Sequence, residues 1–400
     1  MKKLNQVLSR SVLSLGFICG LSGCGSGMQT AAPNPTTVNG MYTRYFGDAS
    51  RPPILFIHDS YGDASVSNET LPAGGPSVNS MYFEYGMAEQ LAEKGNGFFV
   101  VVYDQRGQGR SDEAKSKDYT YKQYSDDINA LINVYHLQND QHTINLTIVG
   151  HSHGGVIALK FDEMNPGIAK QIILLDTPLD VFQTLNNIET NCQTRYTSSK
   201  ETNKIDVMKS SITTLSTKST SQKDRAVIAT QLFSEAANCG GQTGLYTAPA
   251  QPLVAASSDP SLTADDPREI DFQAKYAASN AYQNSLKFYQ MVAWLHTPII
   301  PSNQTLPLTA FQANEDFLHV NETAYVTAHN DHIFGIYGSQ DGLFDTDSLA
   351  KIKTSLGADV TANAGRMVMI DGASHNVFID RSDLFLAAIY PMLPTFIINP

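Results

Sequence analysis

The chain has 400 residues, of which 42% are hydrophobic and 16% charged, so it can bury a large core and fits two or three folding units. Its formal net charge of −12 argues against a phosphate backbone as a main partner, and therefore against a nucleic-acid-binding protein. No long run of like charges occurs, which excludes a charged interaction tail.

The N-terminus has the features of an export signal. Two lysines stand near its start, and residues 12–21 (VLSLGFICGL) are apolar but too short to span a bilayer as a stable helix. Residues 21–24 (LSGC) follow and resemble a bacterial lipobox, in which the cysteine becomes the lipidated first residue. The resemblance implies that 1–23 is a signal peptide and that Cys24 anchors the protein in the bacterial cell envelope, facing the periplasm or the exterior. An ordinary cleaved signal with an incidental cysteine is the alternative.

Cysteine usage agrees with export. Cys19 would leave with the signal peptide and Cys24 would carry lipid, so Cys192 and Cys239 remain as an even pair in an oxidising compartment. We expect these two to form a disulfide, which would stabilise the fold by about 4 kcal/mol in the chain-entropy model. Two buried free thiols are the alternative.

Alternating apolar runs and helical spacings predict the fold class. Residues 24–38 lack periodicity and predict a flexible tether. Apolar runs then predict strands at 53–58, 97–104, 145–150, 171–176, 332–338 and 366–371, and helical spacing predicts helices at 80–95, 121–136, 153–165, 346–355 and 381–388. We therefore expect an α/β fold, a mostly parallel twisted sheet with helices on both faces, formed by residues 39–178 and 331–400. The polar stretch 179–330 interrupts the alternation and predicts an inserted, mainly helical cap domain.

The stretch GHSHG, residues 150–154, matches G-x-S-x-G, the pattern of a nucleophile elbow. An apolar strand precedes it and a helix follows, so the turn would hold Ser152 in a strained backbone with its Oγ above the sheet edge. The flanking glycines suit a place where strand and helix approach too closely for side chains. Because consecutive side chains diverge around such a turn, we expect neither His151 nor His153 to be the base, and His151 to pack beneath the turn.

Five motifs give the chain a resemblance to capped α/β-hydrolases over most of residues 40–180 and 330–395. They are IHDSYG, YDQRGQGRSD, GHSHGG, GSQD and GASHN, in that order. The stretch DQRGQGRS resembles the proline iminopeptidase branch of the serine peptidases in particular, although such a stretch is more often a structural turn. The resemblance implies a triad of Ser152 as nucleophile, Asp341 as acid and His375 as base. Asp176, at the end of a predicted strand, is the rival acid.

The fold also implies an oxyanion hole made by two backbone N–H groups. One would belong to His153 and the other, by position, to Ser60. The family has glycine after the histidine of this turn, whereas this chain has His58-Asp59-Ser60. Asp59 must therefore point away or be neutralised, because a carboxylate opposes the negative charge that develops in the hole.

The resemblance implies a serine hydrolase that works by acyl transfer on a small molecule or short peptide, with no cofactor and no metal. An aminopeptidase similar to proline iminopeptidases is the first interpretation, and a carboxylesterase or thioesterase is the second. A lipid-anchored binding protein on a catalytically weak hydrolase scaffold is a third. The pattern at residues 329–332 (HNDH) has no further ligands nearby in sequence and does not predict a metal site.

The cap sequence matches no motif, and its candidate substrate contacts stay open. Tyr289 and Trp294 are candidate substrate-lining residues, although packing within the cap is the simpler interpretation. Cap carboxylates could hold a free α-amino group, but no pattern selects one of them; they are Glu189, Glu201, Glu235 and Glu269.

Overall fold

One sheet organises the part of the chain that the structure describes. The structure is a computed structural model that describes residues 34–60, 79–80, 83–93, 97–112, 114–138, 145–198, 200–217, a few residues between 221 and 232, 311, 314–339, 341–357, 366–373 and 375–394. The strands are β1 (Thr36–Val38), β2 (Met41–Phe46), β3 (Pro53–Ile57), β4 (Phe99–Tyr103), β5 (Thr147–His151), β6 (Gln171–Leu175), β7 (Ile333–Gly338) and β8 (Met367–Ile370). Their order is β1-β2-β4-β3-β5-β6-β7-β8. Strand β2 runs antiparallel to both of its neighbours, β1 and β4, and all other neighbouring strands pair in parallel.

The central strands are buried on both faces, as their uniformly apolar sequences predict. Every residue of β3, β4 and β5 is buried. Alternate side chains enter two separate cores: Leu55 and Val101 belong to one, and Phe56 and Val102 to the other. This period of two follows from the pleat, so both faces of the sheet need a helical layer.

Helices supply both layers. They are α1 (Glu89–Glu93), α2 (Tyr121–Tyr135), α3 (His153–Met164), α4 (Val181–Ser198), α5 (Thr202–Ser216), α6 (Thr323–Ala328), α7 (Thr346–Ser355), α8 (Val377–Asp380) and α9 (Ser382–Ile389). Residues of α2, α3 and α7 join the first core, and residues of α1, α8 and α9 join the second. The predicted α/β architecture is therefore confirmed.

The chain leaves the sheet after β6 and returns to it at β7. We call the residues between these strands, 176–332, the insertion. Its described elements are helical: α4, α5, α6 and a short 3-10 turn at Phe317–His319. A bridge joins Asp180 to Asn321, where the chain enters and leaves the insertion. The cap boundaries at 179 and 330 stay a prediction.

Two predicted elements differ from the structure. The tether predicted for 24–38 overlaps β1, because Thr36 and Val38 are β-branched and pair with Thr43 and Met41 of β2. The tether is therefore too long at its C-terminal end. The helix predicted for 80–95 begins as a π-helical turn at Glu84–Ala88 and becomes α-helical only in α1.

The predicted signal peptide and Cys24 lie outside the described residues. Within the described ranges, no helix combines the length and the apolar character that crossing a membrane requires. Cys192 is fully buried on α4, and Cys239 is outside the described residues. Their disulfide stays a prediction.

Candidate active site

The backbone at Ser152 is a sharp turn between β5 and α3. Ser152 has φ 53° and ψ −121°, a conformation that few residues other than glycine adopt. Its N–H donates to the Leu175 carbonyl at the end of β6, 2.8 Å away. The neighbouring Gly155 is equally constrained, because a Cβ there would lie 1.9 Å from Thr177 Oγ1. The local sequence thus forms the elbow that G-x-S-x-G predicts.

His375 and Asp341 form a buried pair. Nδ1 of His375 lies 2.8 Å from Oδ2 of Asp341, and both side chains are fully buried. The other oxygen of Asp341 accepts the Leu343 N–H at 2.9 Å, which fixes the plane of the carboxylate. With Nδ1 directed at Asp341, Nε2 is the nitrogen that can take a proton.

His151 connects this pair to the elbow. Nε2 of His151 lies 2.8 Å from the His375 carbonyl oxygen, and the two ring centroids are 4.8 Å apart. The ring of His151 also meets the edge of Phe378 in the second core. Because His151 immediately precedes Ser152, this contact holds the His375 loop beside the elbow. The structure therefore gathers the three predicted triad residues at the carboxyl ends of β5, β7 and β8.

Asp176, the rival acid, occupies a different place. It follows β6 in a left-handed conformation with φ 45°, and its Oδ1 accepts the Gly338 N–H at 2.7 Å. Its own N–H donates to Ile336. These contacts join the ends of β6 and β7, whereas the carboxylate on His375 Nδ1 is that of Asp341.

The two histidines that flank Ser152 are held neutral. Burial, together with the neighbouring His375, keeps the pKa of His151 well below 6.5. Burial also lowers the pKa of His153 to about 3, with a smaller contribution from His58. The His153 ring packs against Phe311, with centroids 5.0 Å apart. Neither side chain can therefore gain a proton near neutral pH, which agrees with their exclusion as the base.

The turn after β3 brings a carboxylate to the predicted oxyanion site. Oδ1 of Asp59 accepts the backbone N–H of His153, with the nitrogen 3.4 Å away. Asp59 is fully buried. The Asp59 side chain therefore points at the oxyanion site, whereas an unobstructed oxyanion hole requires it to point away. The expected donor on His153 is in place but already has an acceptor.

Gln105, which the sequence reasoning missed, fixes this turn. Its N–H donates to His58 Nε2 at 2.8 Å, and its side-chain amide donates to the His58 carbonyl. Ser60 is the predicted second donor. Its side-chain Oγ donates to Gln105 Oε1 at 2.7 Å, which holds the residue in place. Since Nε2 of His58 accepts, its Nδ1 carries the proton and donates to the Asp59 carbonyl. The signal was available in DQRGQGRS, whose second residue is Gln105.

The rest of DQRGQGRS is a structural turn, as its sequence suggests. Arg110 donates to Asp104 Oδ2 at 2.7 Å and also to Glu84, and both carboxylates are fully buried. The guanidinium stacks on Tyr42 at 3.7 Å from the ring centroid. The pKa of Asp104 is lowered despite its burial, mainly by the hydrogen bond and charge of Arg110.

The remaining candidates do not form a second site among the described residues. No group of His, Cys, Asp and Glu there could hold a metal ion. His332 instead contacts Asp162 and Asp331, and His329 stacks on Tyr325. Glu189 contacts Gln193 and Lys209, and Glu201 pairs with Lys204. Tyr289, Trp294, Glu235 and Glu269 lie outside the described residues.

Parts of this chain are similar in sequence to parts of known proteins. An uncharacterised protein of Mycobacterium tuberculosis is 31% identical over 140 residues, which cover 35% of this chain and 33% of that protein. An sn-1-specific diacylglycerol lipase of Danio rerio is 24% identical over 210 residues, 48% of this chain and 56% of the lipase. The chain thus spans only a third to about half of the length of these curated relatives.

The fold comparison and the family comparison agree. A proline iminopeptidase-related protein from Thermus thermophilus superimposes with a TM-score of 0.50 at 16% identity, over 91% of this chain and 100% of that one. Residues 52–382, well over half of the chain, match the family described as "alpha/beta hydrolase fold". The chain belongs to the α/β-hydrolase fold family.

Proposed function

We propose that the protein is a serine hydrolase in which Ser152 is the nucleophile, His375 the base and Asp341 the acid. The observation that carries the proposal is the 2.8 Å hydrogen bond between the buried side chains of His375 and Asp341. An aspartate in this position orients the imidazole and stabilises its charged form. The strained backbone of Ser152 at the start of α3 supports the same assignment.

The proposed reaction is acyl transfer to water in two halves. Ser152 Oγ bonds to the carbonyl carbon of an ester or amide while His375 Nε2 takes the hydroxyl proton. The C–O or C–N bond then breaks, and the leaving group receives that proton from His375. Water attacks the acyl-enzyme with the same proton transfers and releases a carboxylic acid and free Ser152.

The first substrate candidate is a short peptide cleaved at its N-terminus. The resemblance of DQRGQGRS to proline iminopeptidases supports it, and a proline iminopeptidase-related protein shares the fold. A small carboxylic ester or thioester is the second candidate, which the similarity to a diacylglycerol lipase favours. Hydrolysis of proline naphthylamide against a short p-nitrophenyl ester distinguishes them. Ester turnover without aminopeptidase activity removes the peptide candidate.

A binding protein on a hydrolase scaffold is the competing function, because the Asp59 carboxylate occupies the His153 N–H. A fluorophosphonate probe, which reacts with activated serines, separates the two functions. We expect labelling of the protein without residues 1–24 and no labelling of Ser152→Ala. Ser216→Ala, at the end of α5, is the control and should label normally. Labelling that survives Ser152→Ala refutes the nucleophile, and no labelling of any form supports a binding protein.

Membrane anchoring through Cys24 and a Cys192–Cys239 disulfide are further parts of the proposal. The apolar stretch at residues 12–21, the lipobox resemblance of residues 21–24 and the burial of Cys192 support them. We expect Cys24→Ala to release the protein from membranes, and unchanged retention would count against the lipid. A mass shift of two hydrogens on reduction, located to a peptide pair that contains both cysteines, would identify the disulfide. Two separately alkylated thiols in the unreduced protein would exclude it.

A further inference from the structure

The inference concerns the side chain that already occupies the oxyanion site. Asp59 Oδ1 accepts from the first N–H of α3, a helix of 12 residues whose N-cap, Ser152, provides no side-chain cap. The N-terminus of a helix attracts a carboxylate, because its free N–H groups carry partial positive charge. Asp59 thus takes the position in which a substrate oxyanion would need to bind.

The contact between Asp59 and His153 is a weak one. The N–O distance of 3.4 Å is longer than the usual range of about 2.7–3.2 Å for such hydrogen bonds. A charged donor offers a carboxylate a shorter and about twice as strong bond. A cation placed close to the substrate carbonyl could therefore draw Asp59 off the N–H, whereas a neutral acyl group could not.

The backbone of the turn can stay in place during this exchange. Gln105 binds His58 through its backbone and side chain and also accepts from Ser60, so the residues on both sides of Asp59 are held. Rotation of the Asp59 side chain then releases the His153 N–H without displacing the backbone of the turn. The buried imidazoles of His58, His151 and His153 do not provide the cation, because the first accepts a backbone N–H and the other two are held neutral.

We propose that Asp59 is a charge-selective gate on the oxyanion site, which opens when the acyl group of the substrate carries a cation next to its carbonyl. Asp59 binds that cation on leaving the His153 N–H, and the freed N–H then receives the oxyanion. Neutral acyl groups react slowly, because the His153 N–H stays occupied by Asp59, and anionic ones are repelled. This inference rests on the proposed serine hydrolase function, and it makes Asp59 a residue that determines specificity.

Two esters of equal shape test the gate. Alanine benzyl ester carries an α-ammonium group where benzyl isobutyrate carries a methyl group. We expect the ratio of their kcat/KM values, charged over neutral, to fall by about 100-fold in Asp59→Asn, because an amide oxygen competes less strongly than a carboxylate for the His153 N–H and the charged ester loses its ionic partner. Comparing this ratio between wild type and Asp59→Asn cancels the intrinsic reactivity of the two esters. Asp48→Asn, which changes an exposed carboxylate in the turn after β2, should leave the ratio at its wild-type value.

The outcomes distinguish the gate from the serine hydrolase itself. An active Asp59→Asn enzyme with an unchanged ratio overturns the gate and leaves the hydrolase proposal standing. Absence of turnover and of fluorophosphonate labelling in wild type overturns both. If Asp59→Asn does not fold, the gate is tested on the wild-type protein alone, by comparing its inhibition by two isosteric boronic acids. We expect 1-aminoethylboronic acid to inhibit about 30-fold more tightly than isopropylboronic acid, and equal inhibition overturns the gate.

Discussion

Gly154 lies so close to Ile57 that a Cβ on it would be 2.3 Å from the Ile57 carbonyl oxygen, and 2.6 Å from that of His58. Both obstacles are backbone atoms, so no side chain can rotate away. We expect Gly154→Ala to lower the free energy of unfolding by about 1–3 kcal/mol, since overpacking of this kind forces backbone shifts. Because the shift displaces the turn that carries Asp59, fluorophosphonate labelling of Ser152 should also slow. Urea unfolding and the labelling rate measure the two effects.

Gly167→Ala provides the control for that substitution. Gly167 has φ +79°, but no atom lies within 4 Å of the position that an added methyl group would take, so its replacement strains the backbone without a clash. It should cost about 1–2 kcal/mol and leave labelling of Ser152 unchanged. A Gly154→Ala protein that labels at the wild-type rate would show that the turn tolerates the shift.

Asp341 and Asp176 can be separated by their amide variants. Asp341→Asn removes the carboxylate on His375, which should lower kcat by about 10⁴-fold through loss of the correct imidazole tautomer. Asp176→Asn keeps an oxygen for the Gly338 N–H and should retain most of the activity. Steady-state kinetics on whichever substrate turns over measures both. A larger loss in Asp176→Asn would reverse the assignment of the acid.

Asn187 of α4 supports the loop that carries Asp341. Its amide donates to the Leu343 carbonyl at 2.9 Å and to Ser348 Oγ at 3.2 Å, and its side chain is buried. Asn187→Ala should cost about 1–3 kcal/mol of stability because the carbonyl loses its donor. We also expect kcat to fall about 10-fold, because a misplaced acid orients His375 less well.

The pH profile shows whether Asn187 does more than stabilise the fold. A displaced Asp341 stabilises the charged imidazole less, so the acidic limb of kcat/KM should move to lower pH in Asn187→Ala. Asn186→Ala is the control, since the Asn186 amide donates to the Phe182 carbonyl within α4 itself. A destabilised Asn187→Ala enzyme with the wild-type pH profile would assign Asn187 a purely structural role.

The His332 imidazole makes stability depend on pH. Its pKa is raised above 6.5, chiefly by the hydrogen bond to Asp162, against an opposing effect of partial burial. A raised pKa in the folded state stabilises the protein fully below 6.5, and this contribution is lost as the pH rises through the raised value. The stability difference between wild type and His332→Asn should therefore be larger near about pH 5.5 than near about pH 8.5.

Urea unfolding at the two pH values measures this difference. His329→Asn serves as the control, because the His329 ring stacks on Tyr325 and its Nδ1 lies 3.0 Å from the Tyr325 carbonyl oxygen, just after the end of α6. A gap between wild type and His332→Asn that widens with rising pH would contradict the role of the charged imidazole.

Local sequence was sufficient to predict the elbow and the strands around it. The features that define the elbow all lie within 20 residues of Ser152: an apolar strand, the glycines at 150 and 154, and a helical pattern. The turn can therefore be predicted from neighbouring residues alone. The positions of Asp341 and His375 at the sheet edge were predictable for a related reason. Each follows a recognisable strand, and the carboxyl ends of parallel strands meet at one edge of the sheet.

The direction of the Asp59 side chain could not be predicted in this way. It depends on the N-terminus of α3, which is 94 residues away in sequence, and on the hydrogen bonds that Gln105 makes to the turn. The surroundings of His153 come from further still, from Phe311 and Phe317. Strand β1 escaped prediction because three residues at a sheet edge give too short a pattern.

The hydrogen bonds from α4 to the acid loop have a consequence for engineering. Asn187 and Asn191 belong to the insertion, but their amides bind the carbonyls of Leu343 and Gly342 in the core. An insertion transplanted from another hydrolase would replace both amides and leave the Asp341 loop without these donors. A chimera designed to exchange substrate preference therefore needs its junction after Ser198, the last residue of α4, so that the whole helix stays with the host.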